Sequence, residues 1–191
     1  MTLTLKKLTP ALWPAVEALF RGRWGLWGGC WCMHWRTEKG QSWDDFEGAP
    51  AKAAFRKLVQ SGKARGVLAF AGAAPPRAGA APMAGAWSLP SSTARPSLAC
   101  DDAEQVWSLP CFYIKARYRD QGIAGKLLAF AMQCLKEEGA KIAEAYPVKP
   151  KPGQKMPGAF AWTGVVSMFK QAGFQPADSK AKGKQRMRKT P

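Results

Sequence analysis

Thr2-Leu3-Thr4-Leu5 alternates polar and apolar with a period of two, which predicts a first strand. Thr9-Pro10 or Trp13-Pro14 then opens a short helix that carries Leu12, Val16, Leu19 and Phe20. Ser42-Trp43-Asp44-Asp45 reads as a helix start, with Phe46 to Val59 continuing helically and interrupted by Gly48 and Pro50. Gly66-Val67-Leu68-Ala69-Phe70 and Gly85-Ala86-Trp87-Ser88-Leu89 are apolar runs of strand length. Between them, residues 71–84 are rich in Ala, Gly and Pro and too poor in large side chains to pack, so they read as a flexible loop. Ser91 to Asp102 reads as a further loop. Val106 to Ile114 is aromatic and β-branched and predicts a strand despite Pro110. Ile123, Leu127, Ala131, Cys134 and Leu135 recur at helical spacing until Gly139. Lys141 to Val148 reads as a strand, Lys149 to Pro157 as irregular, and Gln185 to Arg188 as a last strand.

The most informative stretch lies between the strand Val106–Ile114 and the helix that follows it. It runs Arg119, Asp120, Gln121, Gly122, Ile123, Ala124, Gly125, Lys126. A glycine turn between strand and helix leaves the first helical amides unpaired, and the helix dipole adds positive potential there. Gly122 permits close backbone approach, Ala124 keeps the path to the amides open, and Arg119 and Lys126 add charge. Those features suit a pyrophosphate.

The pattern Arg/Gln-x-x-Gly-x-Gly/Ala in this setting resembles the coenzyme A-binding motif of the GNAT N-acetyltransferases. A second segment, Trp162-Thr163-Gly164-Val165-Val166-Ser167-Met168-Phe169-Lys170-Gln171-Ala172-Gly173-Phe174, resembles that family's last helix and the Gly-Phe strand after it. Cys30-Trp31-Cys32, Glu144-Ala145-Tyr146-Pro147 and Ser167-Met168-Phe169 through Phe174 together resemble a bacterial subgroup of the family. The resemblance implies an α+β fold with a mixed, mainly antiparallel sheet of about six or seven strands, splayed between the fourth and fifth, and about four flanking helices. It implies that pantetheine bonds the main chain at Phe112, Tyr113 and Ile114, and that Ser167 and Phe169 face the cofactor. The family's usual thiolate-protonating tyrosine is Phe169 here, which cannot donate a proton. Its frequent asparagine is Gly164, with Thr163 and Ser167 as nearby polar groups.

Composition narrows the class. A chain of 191 residues fits one domain, here taken as 1–191. Five cysteines, with no secretory leader and no long apolar run, point to reduced thiols in a cytoplasmic protein without a membrane span. The net charge of +16 attracts polyanions: coenzyme A, and nucleic acid as a less favoured partner. Much of that charge sits in residues 179–191, a basic strand or tail that reads as a solvated edge or frayed terminus.

Acetyl transfer to an amine needs a neutral nucleophile, a polarised thioester carbonyl and a proton for the departing thiolate. Glu144 is a carboxylate in a central strand, either a base or the partner of a structural cation or amide. Tyr146 is a candidate donor, and Cys111 either a transient acyl carrier or a small buried hydrophobe. Cys30, Cys32 and His34 lack the fourth ligand a zinc site wants, so no metal is expected. Trp31, Trp35 and Arg36 fall where the family builds its acceptor wall, and an aromatic wall with one arginine suits a flat or anionic acceptor.

The resulting expectation is an acetyl-CoA-dependent N-acetyltransferase, acting by direct attack of a primary amine on a small molecule or protein, as monomer or homodimer. The alternative is an acyl-CoA-binding sensor or a basic nucleic-acid-associated module on the same fold.

Overall fold

The computed structural model describes residues 2–20, 29–37, 40, 42, 44, 47–72, 82–90, 94, 100–149, 161–177 and 185–191. The central loop at 73–81, most of 91–99, the irregular stretch at 150–160, and Trp43, Asp45 and Phe46 at the expected helix start lie outside them.

Seven strands form one sheet in the order β1-β2-β3-β4-β5-β7-β6. They are β1 Leu3–Lys7, β2 Arg65–Ala71, β3 Ala84–Pro90, β4 Val106–Ile114, β5 Ile142–Ala145, β6 Gln175–Ala177 and β7 Arg186–Lys189. Every neighbouring pair is antiparallel except β4 and β5, which run parallel. Four α-helices are named among the described residues: α1 Trp13–Phe20, α2 Ala49–Gln60, α3 Ile123–Glu137 and α4 Val166–Gln171. None of the described helices is long and apolar enough to cross a membrane.

Gly48 and Pro50, expected to interrupt a helix, instead begin one. Gly48 is the N-cap of α2 with φ 74°, and Pro50 falls in the first turn, where its missing N–H costs nothing. The last helix starts later than the resemblance implied: Gly164 has φ 79° and Val165 is extended, so helical backbone begins only at Val166. The basic tail departs most from expectation. Arg186–Lys189 is not an edge strand; β7 lies between β5 and β6, and the short β6 forms the edge.

The sheet carries a core on each face. Helices α1 and α2 cover one with Val16, Leu19, Phe20, Phe55 and Val59, packed over Leu68, Trp87, Leu89, Cys111 and Tyr146. Helix α3 covers the other with Ile123, Leu127, Leu128, Ala131 and Leu135, joined by Phe169 of α4, against Val67, Ala86, Leu109 and Phe112. Burying each of these leucines contributes about 1.5–3 kcal/mol, which anchors α3 and fixes where its N-terminus meets β4.

Candidate functional site

The sheet opens where β4 outruns β5. The parallel ladder pairs Val106 with Ile142 and ends at Leu109 with Ala145, whereas β4 continues five residues further to Ile114. Two features of the sequence produce the parting. Pro110 has no amide to offer a neighbouring strand, and Tyr146-Pro147 closes β5. On its other edge, β4 pairs Cys111 with Trp87 but Ser108 with Leu89, so Leu109 and Pro110 oppose Ser88 alone. That is a β-bulge at the point of divergence.

Main-chain direction along β4 follows from the ladder. The Lys115 amide donates to the Met83 carbonyl at 3.0 Å. Hydrogen bonding alternates along an antiparallel pair, so Tyr113 faces β3 while Phe112 and Ile114 present their main chain to the gap. The Phe112 amide donates to the Trp162 carbonyl at 2.7 Å, and the Ile114 carbonyl accepts from Arg119 Nε at 3.0 Å. Segment 162–164 therefore borders the gap, held on its far side by the Val148 amide donating to the Gly164 carbonyl at 2.9 Å. Of the three residues expected to offer main chain, Phe112 and Ile114 point into the gap and Tyr113 stacks its ring on Phe20.

The turn into α3 has the backbone its sequence suggested. Gly122 is left-handed, φ 72° and ψ 6°, and no side chain caps the helix. The Lys126 amide bonding the Gly122 carbonyl at 3.3 Å is the first helical bond, so the amides of Ile123, Ala124 and Gly125 precede the ladder. A Cβ on Gly122 or Gly125 would meet no atom within 4 Å, so the approach is open. Arg119, Gln121 and Lys126 are exposed around it, and Ile123 turns inward to the core. Gln121 Nε2 donates to the Arg117 carbonyl at 3.1 Å, which with Arg119 on Ile114 ties the turn to the end of β4.

On the face covered by α1 and α2, a buried polar network spans β4, β5 and β7. The Tyr146 hydroxyl donates to Glu144 Oε1 at 2.6 Å and lies 2.7 Å from Ser108 Oγ. Arg188 Nε donates to Glu144 Oε2 at 2.6 Å, and Arg186 sits 3.3 Å from Glu144 Oε1. Arg188 also grips both oxygens of Asp102, at 2.7 and 2.9 Å. Glu144 is fully buried, and its charge is met by the two arginines. Burial first, then the adjacent Glu144 charge, pushes the Tyr146 phenol well above its ordinary value, so it keeps its proton. Hydrogen bonding from Arg188 lowers the Asp102 carboxyl.

The segment Cys30–Arg36 lies over this face. Trp31 and Cys32 both have left-handed backbone, φ 43° and 57°, a strain of about 1–3 kcal/mol each that the surrounding packing holds. It aims Cys32 at the sheet, with its Sγ 3.9 Å from Cys111 Sγ. Burial raises both neighbouring thiols of the segment, Cys30 to about 11 and Cys32 further, so neither is a ready nucleophile. Trp35 stacks on Tyr146 at 6.2 Å and packs on Trp162 at 5.3 Å, with His34 edge-on to both tryptophans. Arg36 reaches the Ser88 carbonyl at 3.3 Å, at the bulge. Trp31 parts from these two: it stacks on Trp13 and meets Phe20 at a tilt, with Lys52 over its ring.

The last helix completes the picture. Phe169 is fully buried between Phe112 and Phe174. A Cβ on Gly164 would come 2.7 Å from the Phe169 ring, so Gly164 is the residue that fits under it. Ser167 is exposed, and Thr163 is fully buried with its hydroxyl unpartnered among the described residues. Ser108, Arg188 and Trp162 are not singled out from sequence as parts of the site, and Asp102, just ahead of β4, reads from sequence as a loop charge rather than a base. A serine inside an apolar strand was a signal for the first; the role of Trp162 rests on its main-chain carbonyl, which leaves no trace in side-chain chemistry.

No protein-family model and no curated protein matches the sequence. Solved structures do match the fold. A GCN5-related N-acetyltransferase from Kribbella flavida superposes with TM-score 0.56 at 18% identity, covering 99% of this chain and 98% of that one. The chain has the GNAT fold. A GNAT superfamily phosphinothricin acetyltransferase from Sinorhizobium meliloti, in complex with AcCoA, gives TM-score 0.56 at 16% identity over 100% of this chain and 89% of its own. An N-acetyltransferase from Staphylococcus aureus Mu50 gives 0.55 at 12% over 100% and 99%. Seven strands, one parallel pair and the opening between β4 and β5 are the features of the GNAT architecture on which the site rests.

Proposed function

We propose that this protein is an acetyl-CoA-dependent N-acetyltransferase acting on a primary amine. The observation that carries the reading is the uncapped N-terminus of α3 behind left-handed Gly122, open to solvent at the end of the strand that parts from its neighbour. Amides of Ile123, Ala124 and Gly125, with Arg119 and Lys126, suit a pyrophosphate, and the Phe112 and Ile114 main chain borders the path of a pantetheine arm. The S. meliloti relative of the same fold binds AcCoA, which supports the same ligand here. Acetyl-CoA held there supplies a thioester that the neutral amine attacks directly: the C–N bond forms as the C–S bond breaks, and the proton shed by the nitrogen passes to solvent and restores the one given to the thiolate.

The residues of the chain divide the remaining work. Tyr146 stands beside the mouth of the gap and takes the place of the tyrosine that Phe169 replaces as the proton donor, giving up its hydrogen bond to Glu144 for the transfer. Glu144 acts as a positioning residue: paired with Arg186 and Arg188, it fixes the direction of the Tyr146 hydroxyl. Ser108, hydrogen-bonded to the same hydroxyl, continues the line of donors. Cys111 faces Cys32 in the core and is not a carrier of the acyl group in this scheme. Trp35 and Arg36 form part of the acceptor wall.

A second reading, an acyl-CoA-binding sensor without turnover, is favoured by the wholly apolar surroundings of Phe169. The nucleic-acid reading weakens, because two cations of the basic tail, Arg186 and Arg188, are spent on internal carboxylates. Calorimetry with acetyl-CoA, followed by thiol release across a panel of amines, separates the readings. Release with at least one primary amine supports transfer, binding without release supports the sensor, and absence of binding removes both.

A further inference from the structure

We infer that Arg36 anchors a carboxylate on the acceptor, so that the amine acetylated belongs to an amino acid or a similar carboxylate-bearing amine. The inference rests on the acetyltransferase reading and adds its substrate class. Its basis is a charge that no carboxylate balances among the described residues. Three arginines borne by the sheet itself meet carboxylates: Arg65 bonds Glu138 at 2.7 Å, Arg186 lies 3.3 Å from Glu144, and Arg188 holds Glu144 and Asp102. Arg36 donates only to the Ser88 carbonyl at 3.3 Å, and no carboxylate reaches it among the described residues. Burial, with Arg65 adding repulsion, draws its pKa down to about 10, which leaves it a cation at neutral pH. A half-buried guanidinium without an anion is costly, and arginine cannot escape the cost by losing its proton.

The position of that charge points to a ligand. Ser88 opposes the bulge at Leu109 and Pro110, where β4 leaves β5, so Arg36 lies against the sheet where the proposed chemistry occurs. Cys32 on the same segment touches Cys111, the residue after Pro110, and Trp35 stacks on Tyr146. Planar, forked donors of this kind match a carboxylate in two-point contact. An acceptor bound by its carboxylate at Arg36 would place an α-amine a few ångströms away, toward the gap and Tyr146, while its side chain meets the rings of Trp35 and Trp162. A bare amine or a protein lysine offers no such group.

The test measures binding separately from transfer. The twenty proteinogenic amino acids, each beside its carboxamide, are titrated calorimetrically into the full chain saturated with coenzyme A. At least one acid binds about 10-fold or more tighter than its amide, and Arg36→Gln brings the two together while coenzyme A affinity holds. The wild-type comparison needs no variant, so a poorly folded Arg36→Gln does not spare the inference. Acids that bind no better than their amides overturn it. Acids that bind through Arg36 while releasing no thiol from acetyl-CoA support the anchor and count against the transferase reading instead.

Discussion

The Phe112 amide donates to the Trp162 carbonyl at 2.7 Å, across the opening between β4 and β5. A pantetheine arm that adds to β4 as a strand needs that same donor, so segment 162–164 and the cofactor compete for it. The ring of Trp162, packed on His34 and Trp35, holds the segment in place. Trp162→Ala frees the donor and tightens acetyl-CoA binding about 3- to 10-fold, the worth of one exchanged hydrogen bond. Calorimetry reads this directly. Weaker binding in the variant would mean that the segment serves as a wall of the site.

Gly125 tests the phosphate turn more cleanly than Gly122. Gly122 has φ 72°, so any side chain there adds backbone strain to its other effects. Gly125 lies in the first turn of α3 without a positive φ and faces open space. Gly125→Glu places an anion among the amides that would hold a diphosphate, at a cost of several kcal/mol, or more than about 100-fold in acetyl-CoA affinity. The melting temperature changes little. Retained affinity would show that the diphosphate binds elsewhere.

Tyr146→Phe removes the proposed proton donor and keeps the ring stacked on Trp35. Acetyl transfer falls by about 10²-fold or more while acetyl-CoA affinity stays the same, whereas Cys111→Ala leaves the rate within a few-fold of wild type. The reverse ranking would indicate an acyl-enzyme on Cys111. The phenol also has a readout of its own. Its pKa is raised in the fold, so the Tyr146 contribution to stability is complete below 10.0 and is lost as pH climbs through the higher folded value. In the 295 nm difference between wild type and Tyr146→Phe, the ionisation of this hydroxyl appears only above pH 10.0.

Removing the Glu144 carboxylate takes a buried counter-charge from Arg186 and Arg188. Glu144→Gln destabilises the fold by about 3–5 kcal/mol in urea unfolding. A loss below about 1 kcal/mol would mean that the arginines find other partners. The carboxyl at the far end of the same chain of contacts gives a pH signature. Asp102 is held below 3.8 by Arg188, so its contribution is present above that pH and disappears as pH falls through the folded value. Asp102→Asn therefore lowers stability at neutral pH and flattens the acid limb of the unfolding curve below about pH 4.

Much of this was readable from residue order. Strand β4 runs from Val106 to Ile114 as its apolar run predicted, and Gly122 precedes α3 in the conformation only glycine adopts freely. These are local matters, decided by neighbours a few residues away. The sequence likewise presents Arg36, Tyr146 and Glu144 as polar residues among apolar ones, which marks them as candidates without saying what they meet. Tertiary structure decided their partners. Arg188 lies 44 residues from Glu144 and 86 from Asp102, and only the insertion of β7 between β5 and β6 makes those pairs. It turned a tail that looked like a solvated edge into the counter-charge of a buried acid. The same holds for the Phe112 amide. Its side chain announced a core position, but the direction of its N–H depends on strand pairing, and its acceptor on a segment 50 residues away. Backbone preference and hydrophobic period are short-range and survive in one dimension; charge pairing and main-chain direction exist only once distant strands have been laid side by side.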